Sequence, residues 1–263
     1  MTIDAVRVMR ETSIARVEYH PTVDSTNDRA AQCAAQGAVD LPLLVVADEQ
    51  TAGRGRGANR WWSSAGSLAF SLLVDAQTVA ADEDRSPLVA LAAAVAVVDC
   101  VAALLLTHQV GIHWPNDVHV RIAKSEADAA DRKLAGILVE VLPDRRHVIG
   151  IGLNVNNRLA DAPAELQDTA TTLRDLSGRE YDRTGVLIDL LRRLDAAFAQ
   201  LREDPAEVAG RADSLCLQRG RSLMLHWANR KVAGVCRGIA ADGAIVLETP
   251  SGIETFLSGN VGP

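Results

Sequence analysis

Gly53-Arg54-Gly55-Arg56-Gly57-Ala58-Asn59-Arg60-Trp61-Trp62 packs three glycines, three arginines and two tryptophans into one short stretch. No acid occurs from Thr51 to Val74, in a chain of 263 residues whose formal net charge is −7. The apolar run Leu43-Leu44-Val45-Val46-Ala47 leads into the stretch, and a second run, Ser67 to Val74, follows it. Both runs read as strands, so the pattern predicts a cationic loop held between two strands. Glycines let backbone amides approach a ligand, and arginines offer forked donors to carboxylate or phosphate oxygens. Such a loop suits an anion that is enclosed and later released.

Three rival readings of the loop fit less well. Gly53-x-Gly55-x-x-Ala58 formally matches a dinucleotide fingerprint, but that fingerprint needs a helix at once, and Asn59 to Ser64 is a poor helix start. No Gly-Lys-Ser/Thr ending is present, which excludes a P-loop. RGG-type nucleic-acid segments repeat in disordered tails, whereas this one sits between strands.

Composition sets the wider bounds. With 48% apolar residues, the chain can bury the core of one large domain, or of one domain plus a small appendage. The acidic balance argues against bulk nucleic-acid binding. Cys33, Cys100, Cys216 and Cys236 lie far apart with no Cys-x-x-Cys pair, which argues for reduced thiols over a disulfide framework or zinc site. The N-terminus shows no signal-peptide core. Pro87 to Leu106 is long and apolar, yet it is alanine-rich, contains Asp99 and lacks basic flanks. That composition predicts a buried core helix rather than a membrane span, in a soluble cytoplasmic protein with no membrane or nucleic-acid partner.

Along the chain, Ala15 to His20 alternates as a strand. Asp24-Ser25-Thr26-Asn27 then offers helix-capping residues before an alanine-rich helix that Gly37 stops. These caps are either structural or a polar site at the positive end of the helix. Val110 to Val120 reads as a strand broken by Trp114-Pro115-Asn116-Asp117. Ile122 to Arg132 reads as an exposed hairpin loop. Lys133 to Leu142 and His147 to Asn156, separated by Pro143-Asp144-Arg145-Arg146, read as paired antiparallel strands. Val186 to Leu201 has the spacing of an amphipathic helix, and Pro205 to Leu215 is a second helical piece. Four short strands then follow between Arg221 and Leu257, with a boundary near Asp213 to Arg219.

Trp114-Pro115-Asn116-Asp117 is either a structural turn or a site where Asp117 helps hold a hard cation such as magnesium beside a phosphate. Lys133 is either a solvated strand end or a point charge for a ligand, which Gly136 would allow to approach the strand closely. Arginine donors, a lysine, a carboxylate and aromatic walls, with no obvious nucleophile, suit attack by a substrate carboxylate on a nucleotide α-phosphate. The residue types by themselves go no further.

Five blocks in order resemble a known family. They are Asp24-Ser25-Thr26-Asn27, Gln50 to Arg56, Trp114 to Asp117, Arg132 to Leu138 and Gly150 to Asn156. The chain is similar to the biotin protein ligases, of the monofunctional type, since too few residues precede Asp24 for a helix-turn-helix. The resemblance implies an α+β catalytic domain over residues 1–214, with a mixed, mainly antiparallel sheet flanked by helices as in class II synthetases. It also implies a small SH3-like β barrel over 215–263.

The reaction so implied joins biotin and ATP into biotinyl-5′-AMP, then passes the biotinyl group to a lysine of a biotin carboxyl carrier domain. By the same resemblance, Ser25, Thr26, Asn27 and Gln50 hold the ureido end of biotin. Arg54, Gly55 and Arg56 close over carboxylate and phosphate, Lys133 contacts both reacting groups, and Gly136 borders biotin. Trp61 walls the adenylate, Asn116 and Asp117 place the triphosphate with magnesium at Asp117, and Asn154 lies by the nucleotide. The chain departs from the family pattern at Gly57-Ala58-Asn59 and at His113, where a lysine is common. A lipoate or octanoate ligase on the same fold and, more distantly, a nucleic-acid-binding module are the alternatives. A homodimer formed through an edge strand is compatible with the pattern.

Overall fold

The computed structural model describes residues 2–79, 86–122 and 130–262, so most of the expected loop from Ile122 to Arg132 lies outside it. The elements run α1 (Ala5–Glu11), β1 (Arg16–Val23), α2 (Thr26–Ala35), β2 (Leu43–Gln50), β3 (Leu68–Val74), α3 (Ala76–Val79) and α4 (Ser86–Leu104). They continue as β4 (Gln109–His113), β5 (Asp117–Ile122), β6 (Ala130–Val141), β7 (His147–Leu153), α5 (Ala164–Gln167), α6 (Leu173–Ser177), α7 (Arg183–Glu203) and α8 (Pro205–Ser214). Five strands close the chain: β8 (Ser222–Trp227), β9 (Arg230–Ile239), β10 (Ile245–Thr249), β11 (Gly252–Phe256) and β12 (Asn260–Gly262).

The first seven strands form one sheet in the order β1-β2-β3-β7-β6-β5-β4. β1 and β2 are parallel because α2 connects them as a crossover, and the other neighbours are antiparallel. The sheet is therefore mixed and mainly antiparallel. β3 and β7 are buried along their whole length, as expected of central strands covered on both faces. β5 alternates instead: Val118 and Val120 are fully buried in the core, while Asp117, His119 and Arg121 share the other face. That face is the one that carries chemistry.

α4 packs against α7, α8 and the sheet. Among the described residues it is the one helix long and apolar enough to cross a membrane, and 67% of its apolar window is buried inside the protein. It is the core helix that its alanines and Asp99 predict. In α7, Leu187, Leu190, Leu191, Leu194, Phe198 and Leu201 are all buried, as their helical spacing requires, and the Asp182 side chain caps the first turn by accepting from the Thr184 amide. α8 starts with Pro205 behind the Asp204 cap.

The last five strands form a separate antiparallel sheet in the order β11-β10-β9-β8-β12. The short β12, absent from the sequence pattern, pairs with β8. The connection from α8 lies along the edge of the first sheet. Ile112 N donates to Leu215 O at 2.8 Å, and Leu217 N donates to Ile112 O at 3.0 Å. Trp114 reaches the same connection and the second sheet: its amide donates to Gln218 Oε1 at 2.7 Å, and its indole Nε1 to Gly243 O at 2.9 Å. All four cysteines are buried, free thiols.

Candidate active site

Two cavities meet over the polar face of β5 and β6. The first, about 170 Å³, lies between the start of α2, the Arg-Gly loop and the β6–β7 pair. The second, about 490 Å³, continues from it beneath the second sheet. Trp61, Trp114, Asp117, Lys133 and Val261 line both. Lys133 therefore stands at the junction, with its Nζ 2.7 Å from Asp117 Oδ2 and 5.7 Å from the centre of the Trp61 ring.

The closed end of the first cavity is a hydrogen-bonded frame. Ser25 caps α2, its oxygen accepting from the Asp28 amide at 3.4 Å, so its hydroxyl hydrogen remains for a ligand acceptor. Gln50 Oε1 accepts from both the amide and the hydroxyl of Thr26, at 2.8 and 3.1 Å, which turns the Gln50 NH₂ into a free donor. Ser71 donates to Asn27 Oδ1 at 2.6 Å and lies 2.8 Å from Thr26 Oγ1. Asn27 Nδ2 donates to Glu140 Oε2 at 2.7 Å. Asn27 thus lines the cavity with both ends of its amide already bonded, Thr26 has committed both its donors to Gln50, and Ser25 and Gln50 keep donors for a ligand.

The cavity floor needs glycines. A Cβ on Gly150 would sit 2.0 Å from Asn27 Oδ1, and one on Gly152 would sit 2.2 Å from the Trp61 indole. At Gly136, the expected border of the site, a Cβ would lie a tight 3.3 to 3.4 Å from Lys133, Trp61 and Asp117.

The Arg-Gly loop is a small hairpin. Gly55 N donates to Asn59 O at 2.9 Å and Trp61 N to Gly53 O at 2.9 Å, with Gly57 at φ +62° forming the tip. Arg54 pairs with both Glu140 and Asp28, bonds that raise its pKa and keep it charged. Arg56 differs. It is half-buried, donates to Gly259 O at 3.1 Å, and has no carboxylate partner among the described residues. Desolvation lowers its pKa, against the pull of Asp117.

Asn116 holds the turn before β5, donating from Nδ2 to Ile137 O at 2.6 Å while its own carbonyl accepts from Ile137 N at 2.9 Å. Asn154 lines the second cavity, but its side chain bridges Thr171 O and Asn157 at 3.1 Å each and so braces the wall. Among the described residues no group of three His, Cys, Asp or Glu could hold a metal by itself. The buried Asp117 Oδ1 has no protein partner, and with phosphate oxygens supplied by a nucleotide it fits a magnesium ion.

Several site residues escaped the sequence pattern. Trp62, Leu159, Leu166 and Ala170 form an apolar wall of the second cavity, a surface suited to a flat ring. His113, already noted as a departure from the family pattern, and His119 form a polar wall, with Asp131 bonded behind them. The two imidazoles stack with centroids 3.8 Å apart, and His113 Nε2 lies 2.8 Å from Asp131 Oδ2. Burial, then the neighbouring His113 and Lys133, push His119 down to about 3, so it stays neutral. Asp131 also binds Arg121 through both oxygens, at 2.9 and 3.2 Å, and Arg221, just before β8 of the second sheet, at 2.8 Å. Burial would raise its pKa, but its bonds to His113 and Arg121 outweigh that and hold the carboxyl well below the usual range.

Residues 19–156 match the family model described as the biotin/lipoate A/B protein ligase family, and residues 224–261 match the biotin protein ligase C-terminal domain. The chain is 34% identical over 241 residues to the biotin–[acetyl-CoA-carboxylase] ligase of Mycobacterium tuberculosis, covering 90% of this chain and 85% of that protein. It is 32% identical over 248 residues to the bifunctional ligase/repressor BirA of Bacillus subtilis, covering 92% of this chain and 72% of that one. A biotin protein ligase from Aquifex aeolicus in complex with biotin and ATP superposes with a TM-score of 0.78 at 29% identity, covering 95% of this chain and 98% of that chain.

Proposed function

The chain belongs to the biotin/lipoate A/B protein ligase family, and from its site we propose that it attaches biotin to one lysine of a biotin carboxyl carrier domain through biotinyl-5′-AMP. One observation carries this reading: two unlike cavities, one ending in a fixed polar frame and one walled by rings, meet at a single lysine. Ser25, Thr26 and Gln50 offer donors and acceptors to a ureido ring, a group that lipoate and octanoate lack.

In the first step a biotin carboxylate oxygen attacks the α-phosphorus of ATP in line, and pyrophosphate leaves. Lys133 stands between the cavities, where it exchanges Asp117 for the carboxylate and the α-phosphate as negative charge builds. Asp117 and the nucleotide phosphates would hold a magnesium ion, which would offset triphosphate charge. Trp61 and the wall of Trp62, Leu159 and Leu166 face the adenylate, and Arg54 and Arg56 close the loop side. In the second step the acceptor ε-amine attacks the acyl carbon, an amide forms, and AMP leaves. The adenylate is labile to water, so its enclosure has a chemical purpose. We place the end of the catalytic part at 214 and read the protein as cytoplasmic.

Pyrophosphate exchange into ATP, run separately with biotin, lipoate and octanoate, tests the reading. Exchange with biotin alone is expected. Exchange with lipoate or octanoate but not biotin would overturn it.

A further inference from the structure

The last strand of the chain reaches the reaction centre. β12 pairs with β8 through Asn260 with His226 and Val261 with Leu225. That register brings Asn260 and Val261 to the first cavity, and Val261 and Gly262 to the second. Just before this strand, the Gly259 carbonyl accepts from Arg56 Nη1 at 3.1 Å. The loop and the second sheet are therefore joined at one charge-assisted hydrogen bond.

Two arginines of the same loop are treated differently. Arg54 pairs with two carboxylates, whereas Arg56 bonds a neutral carbonyl and feels Asp117 without an ion pair to it. Its positive charge is held beside the cavity with no carboxylate bonded to it among the described residues, which suits it to an anionic ligand. What fixes it there is the position of one backbone oxygen. Gly259 has φ +147°, a conformation that side-chain-bearing residues rarely adopt. A Cβ there would meet Leu225 Cδ1 at 2.7 Å and His226 O at 3.1 Å. Any other residue at 259 strains this backbone and crowds Leu225 and the His226 carbonyl, which disturbs the acceptor of Arg56.

We infer that Gly259 is a positioning residue for the Arg-Gly loop: its carbonyl sets Arg56 over the adenylate, so the C-terminal strand is a working part of the enclosure. The inference rests on the biotin-adenylating reading above. Loop and strand are then coupled through the Arg56–Gly259 bond.

The test measures how fast preformed, labelled biotinyl-5′-AMP escapes from wild type, Arg56→Ala, Gly259→Ala and the double variant. Arg56→Ala is expected to raise the escape rate about tenfold, as loss of one charge-assisted hydrogen bond would. Gly259→Ala should approach that value, and the double variant should escape no faster than Arg56→Ala alone. Effects that multiply independently, or wild-type retention by a folded Gly259→Ala, would overturn the inference. Hydrogen–deuterium exchange on Arg56→Ala serves where Gly259→Ala does not fold. In wild type the adenylate should protect residues 53–61 and 259–262 together, and in Arg56→Ala the protection at 259–262 should vanish. Persisting protection there overturns the coupling. Wild type that forms no adenylate from biotin would instead overturn the underlying reading.

Discussion

Lys133 stands at the candidate site already paired. Its 2.7 Å bond to Asp117 holds the ammonium at the junction of the cavities, where a free side chain would sample many rotamers. Lys133→Ala should reduce biotin-dependent pyrophosphate exchange by at least about a hundredfold, the usual range for one electrostatic group. Exchange kinetics like those of wild type would remove Lys133 from its role. Gly152→Ala tests the other wall. Its Cβ would collide with the Trp61 indole, so the KM for ATP should rise about tenfold or more while the KM for biotin stays within about twofold. Equal change in both constants would argue against Trp61 as a nucleotide wall. The sequence already marked Ser25, Arg56, Asp117 and Lys133, because polar and charged groups stand out beside apolar strands, and Gln50 only by its place in a family block. Gly150 and Gly152 were legible as part of a family block but not as the cavity floor, since nothing local reveals that Asn27 and Trp61 lean on them.

At the scale of elements, β4, β5 and β6 gather into a charged hub around Asp131, whose side chain is 2% exposed. Replacing it with asparagine would leave Arg121 and Arg221 without their shared anion, at a cost of about 3 kcal/mol in urea unfolding. A loss below about 0.5 kcal/mol would show the hub to be unimportant. The same group gives a pH signature. The Asp131 carboxyl titrates below its unfolded value when folded, so its stabilisation is complete above about pH 5 and is lost as the pH falls. Asp131→Asn should therefore unfold with a flatter acid dependence than wild type.

β2, β3, β6, β7 and α7 were plain from aliphatic runs and helical spacing. Asp131 was not, because its partners sit on β4, on β5 and just before β8 of the second sheet, and no local pattern encodes their approach. β12 was hidden for the same reason: a three-residue strand has no periodicity, only a partner. The Gly57-Ala58-Asn59 departure also became concrete, as the tip of a hairpin next to Arg56, with Arg54 and Arg60 bridged at its base.

The whole molecule is two sheets fastened along one seam by Trp114, Gln218, Asp131 and Arg221. Heat should unfold both sheets in one calorimetric transition, since separating them exposes that buried polar seam; two resolved transitions would contradict this. Biotin and ATP together should raise the melting temperature by more than the sum of their separate effects, because each ligand completes a wall for the other at Lys133. An additive shift would mean that the cavities act independently. Of the two edges of the large sheet, β4 is closed by Leu215 and Leu217. A dimer formed by strand pairing would thus use β1, whose edge carries Arg16, Glu18 and His20.

The ion pair at the junction has one more consequence, for traffic in a cell crowded with small anions. A bare lysine in a cleft collects free phosphate, whereas Lys133 offers it only a contest with Asp117. On the proposed function, a lone phosphate would bring too little to win that contest, whereas a nucleotide would also bring its base and ribose. Inorganic phosphate is therefore expected to compete weakly with ATP, and Asp117→Asn should make that competition stronger.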